Sequence, residues 1–481
     1  MHRTLILLRK ALRLKDNPLL VEACCGSEVV LPCFFMDRWH RQEGNLAPSR
    51  KVFLCQTLKE LDVKFRKSNN QLYYFEGEPM DLLPKICEEA RVSRIIVDSE
   101  EENEPHCSLE LLKKWAESVK IKVVDISAHM LHNQNDYGRE RVDTYRSFYK
   151  IFSSLGAVPL PLDPPKTMPP GLKLSFQDPL PSVIDETAII KGGEDEALKR
   201  LYHLNSDWLC SFDKTKTSPT CSLEDASTAL LSPYITHGCI SVRVVWYHVD
   251  KILRQSRHTR PPVSFLGQIL WREFWYYQAF RIQNFDQMKG NSVCLQINWS
   301  DNSDFLKKWR DGQTGYPFID ALMRQLKQTG WIHHLGRHAV ACFLTRGDLW
   351  QSWEKGAYVF DRFLIDADWS LNNANWQWVS CSAFFHQYFR VYSPVSFGKK
   401  YDPTGLWVKK WVPEVRYLPK EYVFEPWKAP MEIQKKAKCI IGKDYPFPLI
   451  SDHISQSKEN MQKMKKIKVD LSLMESSPDD E

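Results

Sequence analysis

GWIHHLGRHAVACFLTRGDLWQSWEKGAYVFDRFLIDADWSLNNANWQWVSCSAFFHQYFRVYSPVSFG, residues 330–398, decides the character of the C-terminal half of the chain. Apolar residues recur at three and four spacing over 332–344 and 350–364, broken by Gly- and Asp-containing turns, which predicts two successive helices. The same stretch carries a histidine pair (His334, His338), the triplet Asp366 to Asp368, Asn372, and tryptophans at 350, 353, 369, 376 and 378. Aromatic, titratable and amide groups crowd here beyond what a packed core needs. That composition suits a redox-active aromatic pocket.

Working outward, helical spacing continues upstream over 194–209, 241–254, 263–283, 304–309 and 316–329, with no β-rich run after Asp195. The C-terminal domain is expected to be all-α, and 12 of the 17 tryptophans fall between Trp271 and Trp411. Before it, periodicity is lost from about Ser127 to Thr187, and Pro159, Pro161, Pro164, Pro165, Pro169, Pro170, Pro179 and Pro181 crowd one span. Such proline density excludes helix and central strand and predicts an extended connector that wraps along the folded surface. Further upstream, apolar runs at 4–8, 29–35, 72–75, 94–98 and 121–126 alternate with helical patterns at 18–25, 51–68, 80–90 and 108–119. Strand and helix alternating at this interval predict a doubly wound parallel sheet. Neither GxGxxG nor GxxxxGK[ST] follows the first strand, so the usual nucleotide fingerprints are missing. The expected organisation is an α/β domain over 1–127, a connector over 128–193, a helical domain over 194–430 and a tail over 431–481. In the tail, KENMQKMKKIK reads as one marginal helix and ESSPDDE as a frayed acidic end.

A chain of 481 residues exceeds the size at which one core stops growing, which agrees with two domains. The net charge of +6 permits an anionic partner without requiring one. Thirteen cysteines are scattered without a CxxC, which points to a reducing compartment and excludes a disulfide framework or zinc ribbon. No window approaches about 18 apolar residues and the start lacks a signal-peptide core. A soluble intracellular protein is expected.

His334 and His338 stand one helical turn apart and share a face. A zinc site would need a third ligand, and usually the Glu of HExxH, neither of which is nearby. Two readings stand: a hydrogen-bonded core pair, or a proton-transfer pair whose members shift each other's titration. Asp366 and Asp368 beside an aromatic cluster are costly unless paired, and Arg337 is the obvious cation; a solvated helix start would also explain them. Thr228 to Tyr234, TALLSPY, sets hydroxyls and amides before a turn, as a phosphate site or as an ordinary cap would. Gln268, Trp271 and Arg272 share one amphipathic helix. Arg390, Lys399, Lys400, Lys409 and Lys410 interleave with Tyr392, Trp407 and Trp411, as on a surface that grips phosphates and stacks bases, or as a solvated charge run.

Together these motifs resemble the photolyase/cryptochrome family, from RKALRLKDNP (Arg9 to Pro18) to EPWKAP (Glu425 to Pro430). The resemblance implies an N-terminal α/β domain, a long connector and a C-terminal helical domain that binds FAD. It assigns Thr228, Leu230, Leu231 and Ser232 to the FAD phosphates, with Ala229 departing from the usual second hydroxyl and removing one contact. It places Gln268, Trp271 and Arg272 beside flavin and substrate, pairs Arg337 with Asp366, sets Asp368 at the isoalloxazine edge and faces Asn372 to flavin N5. Trp376, Trp353 and Trp299 match the family's electron-transfer chain, and Trp350 the fourth tryptophan of animal-type members.

Within the family, pyrimidine-dimer photolyases carry Asn and Met where His334 and His338 stand. WQWVSCSAFFHQYFRVYSPVSFGKKYDP (Trp376 to Pro403) also resembles the (6-4) photolyase branch, with Trp378 and Tyr392 at lesion-contacting positions. Reversing a (6-4) photoproduct returns a hydroxyl or amino group to its original base, and an imidazolium supplies the proton this needs. The resemblance therefore implies a light-driven (6-4) DNA photolyase using FAD, with His334 as proton donor, His338 as its orienting partner and Tyr392 beside them. UV-damaged duplex DNA with a flipped-out lesion is the expected partner, of a monomer acting in the nucleus. The alternative is an animal-type cryptochrome acting as a blue-light or circadian signalling flavoprotein. Asn372 and a tail of about fifty residues after Pro430 favour repair. Whether the N-terminal domain holds an antenna chromophore is left open by the residues.

Overall fold

The computed structural model describes residues 1–42, 46–98, 109–182, 188–221, 228–254, 256–385 and 387–475. The chain forms two compact units. The first comprises Met1–Lys216, Leu223–Arg281 and Ile365–Ser370, the second Thr217–Ser222, Ile282–Leu364 and Leu371–Glu481.

Five strands open the first unit: β1 (His2–Leu8), β2 (Ser27–Met36), β3 (Tyr73–Glu76), β4 (Arg94–Asp98) and β5 (Lys122–Ile126). All pair in parallel, in the order β3-β2-β1-β4-β5. Their apolar runs are continuous because both faces are covered. Ile6, Leu8, Val30 and Ile96 pack on one face with Leu58 and Phe65, while Leu5, Leu7, Leu31 and Ile95 pack on the other with Leu83 and Ile86. The covering helices are α1 (Pro18–Cys24), α2 (Pro48–Lys67), α3 (Pro79–Ala90) and α4 (Leu109–Ser118). The first three start on proline, whose preset φ suits a first helical turn. Each expected strand and helix forms within a few residues of its sequence pattern; the expected helix start at 108 lies outside the described residues.

The connector departs from expectation. Rather than lacking helix throughout, it carries α5 (Tyr145–Ser154), capped by the Thr144 hydroxyl on Ser147 N at 3.2 Å, with Phe148 and Phe152 buried. The prolines begin only at Pro159, so they exclude helix downstream and not upstream. Beyond α5 the connector lies along the unit: Leu162 N donates to Asp16 Oδ1 at 2.9 Å and Leu172 N to the Tyr73 hydroxyl at 2.7 Å. After it come α6 (Glu194–Tyr202), α7 (Ser232–Thr236), α8 (Val242–Leu253) and α9 (Phe265–Ala279).

Among its described residues the second unit has helices and no extended strand. They include α10 (Ser303–Arg310), α11 (Pro317–Thr329), α12 (His334–Cys342), α13 (Trp353–Phe363), α14 (Trp369–Val379, whose first two residues belong to the first unit), α15 (Ser396–Tyr401), α16 (Leu406–Trp411) and α17 (His453–Glu475). A wide π-type turn, Phe343–Gly347, follows α12. The tail helix is longer and better anchored than a marginal helix. In α17, Met464 is fully buried, His453 pairs with the buried Asp348 at 2.6 Å, and Asn460 Nδ2 donates to Gly347 O and Asp348 O at 3.4 and 3.3 Å. The acidic end, 476–481, lies outside the described residues. No described helix is long and apolar enough to cross a membrane.

Candidate functional site

In the first unit α9 is buried on nearly every side because aromatic residues line most of its circumference, and the Ser264 hydroxyl caps it at Gly267 N, 3.1 Å away. Gln268 and Trp271, three residues apart, form its half-buried stripe. Gln268 Nε2 donates to Pro262 O at 2.9 Å, and Trp271 stacks on Tyr145 of α5 at 4.3 Å and 24°. Arg272 is turned inward: it donates to His129 O at 2.7 Å and its guanidinium lies 4.3 Å from the Tyr276 ring centre. The Tyr276 hydroxyl donates to the buried carboxylate of Asp368. Asp366 is also buried, and its backbone carbonyl accepts from Thr236 at 3.5 Å.

Leu230, just before α7, has φ +47, a left-handed conformation uncommon for a side chain of that size. The turn directs Leu231 inward and leaves Ser232 exposed at the start of α7, which has no side-chain cap. Thr228 is half-buried two residues before Leu230. The Thr228 and Ser232 hydroxyls beside this left-handed turn form a donor set that fits the phosphates of FAD, and the Tyr276-held carboxylate of Asp368 adds a fixed acceptor.

In the second unit the structure brings His334 and His338 together, ring centres 6.0 Å apart at 82°. His333, which an i,i+4 search passes over, stands 4.2 Å from His334. Its Nδ1 accepts Leu335 N at 3.2 Å, so His333 caps α12 and carries no proton at that nitrogen. His338 Nδ1 lies 3.3 Å from the Tyr392 hydroxyl, with the Trp378 ring 5.4 Å away. Burial raises the Tyr392 phenol above its ordinary value and keeps it protonated. Tyr392 is positioned by Arg346, which no sequence motif marks. From the turn after α12, this buried guanidinium donates to Val379 O, Tyr388 O and Arg390 O at 2.7–2.8 Å and ties down the segment leading to Tyr392. Arg337 Nε donates to Ile332 O at 2.9 Å, and Asn372 Nδ2 to Ala357 O on α13 at 2.9 Å.

The four expected relay tryptophans all lie in the second unit, with Trp350, Trp353 and Trp376 buried and Trp299 half-buried. Trp376 packs edge-on against Phe360 at 5.0 Å and Trp309 at 6.1 Å. Its indole reaches Gly356, where a Cβ would overlap the ring, and Gly356 lies one turn after the fully buried Trp353 on α13. Trp299 and Trp350 form a pair with ring centres 4.8 Å apart. Trp309 and Gly356 are further residues that the motif reading missed.

The basic stretch is divided. Lys399 pairs with Glu425 at 2.7 Å, and Lys409 donates to Leu418 O at 2.8 Å. Lys400 and Lys410 lie over Tyr401 and Trp411 at 5.0 and 5.4 Å, and Arg390 is exposed.

Residues 4–167 match the DNA photolyase model and residues 265–466 the FAD binding domain of DNA photolyase. A (6-4)DNA photolyase of Arabidopsis thaliana is 42% identical over 96% of this chain and 88% of its own. Cryptochrome-1 of Sylvia borin is 38% identical over 96% of this chain and 78% of its own. The crystal structure of a class III photolyase from Agrobacterium tumefaciens superposes with a TM-score of 0.81 at 28% identity, covering 97% of this chain and 98% of that one. With its parallel five-stranded unit, its helical FAD-binding region and relatives of this identity along nearly its whole length, the chain belongs to the photolyase/cryptochrome family and takes FAD as cofactor.

Proposed function

We propose that this protein is a light-driven DNA repair lyase that reverses pyrimidine (6-4) pyrimidone photoproducts. The observation that carries the proposal is the constellation of His334, His338 and Tyr392, which can hold and deliver a proton. Bound, reduced FAD supplies one electron to the lesion under light.

Everything else falls to the chain's own residues. Thr228, Leu230, Leu231 and Ser232 line the FAD phosphates; Arg337 with Asp366, Asp368 and Asn372 orient the flavin ring; Gln268 and Arg272 flank it. Asn372 meets the task with its amide already held by Ala357 O. The lesion, flipped out of UV-damaged duplex because its distorted bases stack poorly, meets Gln268, Trp271, Trp378 and Tyr392. His334 gives its proton to the migrating hydroxyl or amino group, while Tyr392 holds His338 by Nδ1 so that His338 orients His334. Trp376, Trp353, Trp299 and Trp350 carry electrons in from the surface. Arg390, Lys400 and Lys410 bind phosphates, with Lys399 and Lys409 contributing once their present partners release them. The protein acts as a monomer on nuclear DNA.

The test is illumination of FAD-loaded protein with a duplex containing one (6-4) lesion, scored by recovery of intact bases. His334→Ala should lower repair by about 10²–10⁴-fold, the usual worth of general acid catalysis, while flavin content and photoreduction survive. Because neighbouring imidazoles titrate together, the pH profile of repair should be fitted with apparent values for the pair. Failure of the wild-type protein to repair the lesion, with flavin bound and photoreducible, would replace this proposal by the signalling reading that cryptochrome-1 relatives at 38% identity support.

A further inference from the structure

Trp350 is held in place at some cost. Its backbone has φ +51, left-handed and uncommon for a large side chain, and its position is enforced by hydrogen bonds from its amide to Thr345 O and from Ser300 N to its carbonyl, each 2.9 Å. Its indole Nε1 donates to Asn298 O at 3.1 Å, and the residue is 8% exposed. Over that ring lies a cation: the Lys463 ammonium on α17, 5.1 Å from the ring centre. The position of the lysine on the helix is set by its neighbours. Met464 packs in the cluster of Ile297, Trp350 and Cys381, Ile467 packs beside it, and His453 and Asn460 anchor the first turns of α17.

A cation over the face of a neutral indole is attracted by the ring quadrupole. The same cation repels an indole that has lost an electron. We propose that Lys463 raises the energy of the oxidised form of Trp350 and thereby limits how long the hole resides at the outer end of the tryptophan relay. This rests on the relay reading given above. In the step concerned, one electron leaves the π system of Trp350 and fills the hole on Trp299. Trp299 returns to neutral indole, Trp350 becomes a radical cation and the total charge is unchanged. No proton moves, because the acceptor at Nε1 is the Asn298 carbonyl, which cannot take one. An exogenous thiol then returns one electron to Trp350, releasing its S–H proton to solvent and becoming a thiyl radical, and Trp350 is again a neutral indole. Lys463 biases the first step backward, toward Trp299. Glu459 pairs with Lys463 at 2.7 Å, one turn earlier on α17, and offsets part of that bias.

The sign of the effect distinguishes it from simple packing. In FAD-loaded full-length protein after a light flash, Lys463→Met should lengthen the tryptophanyl radical signal and raise the photoreduction yield by about three- to fivefold, from one screened charge at ~5 Å. Lys463→Arg should behave as wild type, and Glu459→Gln should shift both readouts the opposite way. The difference between Lys463→Met and wild type should shrink at high salt, where the Debye length falls to about 3 Å at 1 M. In flavin-free protein, NMR of the Lys463 ε-methylene should show a ring-current shift that disappears in Trp350→Leu. Equal radical lifetimes in Lys463→Met and wild type, or the same direction of change for Lys463→Met and Glu459→Gln, would overturn the inference. Trp376→Phe separates the two levels: if it photoreduces normally the relay itself is wrong, and if it is blocked while Lys463→Met is silent only the role of Lys463 falls.

Discussion

Trp376 packs against Phe360 and Trp309, and its indole Nε1 meets no hydrogen-bond acceptor among the described residues. Burying an N–H without a partner costs stability, so a packing role alone would be served as well by phenylalanine. The expected outcome is that Trp376→Phe folds, with a stability change within about 1–3 kcal/mol, and repairs DNA when the flavin is reduced chemically beforehand. Its photoreduction from the oxidised state should fall to a small fraction of the wild-type rate. Comparing the two assays on one preparation checks this, and equal photoreduction in variant and wild type would remove Trp376 from the relay. His338 and Tyr392 are coupled at the same scale, one hydroxyl holding one ring nitrogen at 3.3 Å.

At the scale of elements, α13 places Trp353 and Gly356 on one face, and the missing side chain at 356 admits the Trp376 ring. A Cβ there would overlap Trp376 Cη2 and Cζ3 and come 2.8 Å from Leu344 Cδ2. Gly356→Ala should therefore cost about 1–3 kcal/mol through overpacking, read as a lower denaturation midpoint, and should also slow photoreduction by displacing the indole. A variant as stable as wild type would show that Trp376 has room to move. Between α15 and the segment at 425–428, Glu425 joins Lys399 at 2.7 Å and Lys428 at 2.5 Å. Burial pushes the Glu425 carboxyl up, but the hydrogen bonds and charges of the two lysines outweigh it and leave it below its ordinary 4.5. A depressed carboxyl stabilises the fold above its unfolded value, and that contribution is lost as pH falls through the folded one. Glu425→Gln should thus be less stable than wild type near neutral pH by under about 1 kcal/mol, because both lysines are half-exposed, and the gap should close below pH 4.5. Unfolding curves across that range decide it; a gap independent of pH would mean the pair contributes through packing alone.

On the scale of the whole molecule, the first unit is tied together at the corner RLKDNP. Buried Asp16 accepts from Arg243 at 3.0 and 2.8 Å, from the Ser241 hydroxyl and from Leu162 N at 2.9 Å. Arg13, held by burial below its ordinary value, donates to Asp16 O, Ala128 O and Gly238 O at 2.8, 2.7 and 3.1 Å. One loop thus joins the end of β1 to the connector and to the start of α8. Asp16→Ala leaves Arg243 and the Ser241 hydroxyl without their buried acceptor and should cost about 3–5 kcal/mol, seen as a lowered unfolding midpoint for the α/β unit. A loss under about 1 kcal/mol would show that the corner is held by packing instead.

The alternation of apolar runs with helical spacing determined the parallel sheet and the helices around it, because strand and helix periods differ and the inner strands are buried on both faces. Long motifs around His334, Asp366 and Trp376 resembled one family closely enough to name it, whereas helical spacing alone said only which of their side chains share a face. Tertiary structure alone decided what depends on partners distant in sequence. Proline density at 159–181 hid α5, whose Phe148 and Phe152 find their core only in the folded unit. Arg346 carries no motif and works through three carbonyls 33–44 residues away. Lys463 looks like one more charge on a solvated helix until α17 docks, when Met464 enters the core and sets the ammonium over Trp350. Local periodicity records what a residue does for its own helix or strand; what it does for a side chain a hundred residues away is recorded only in the packing.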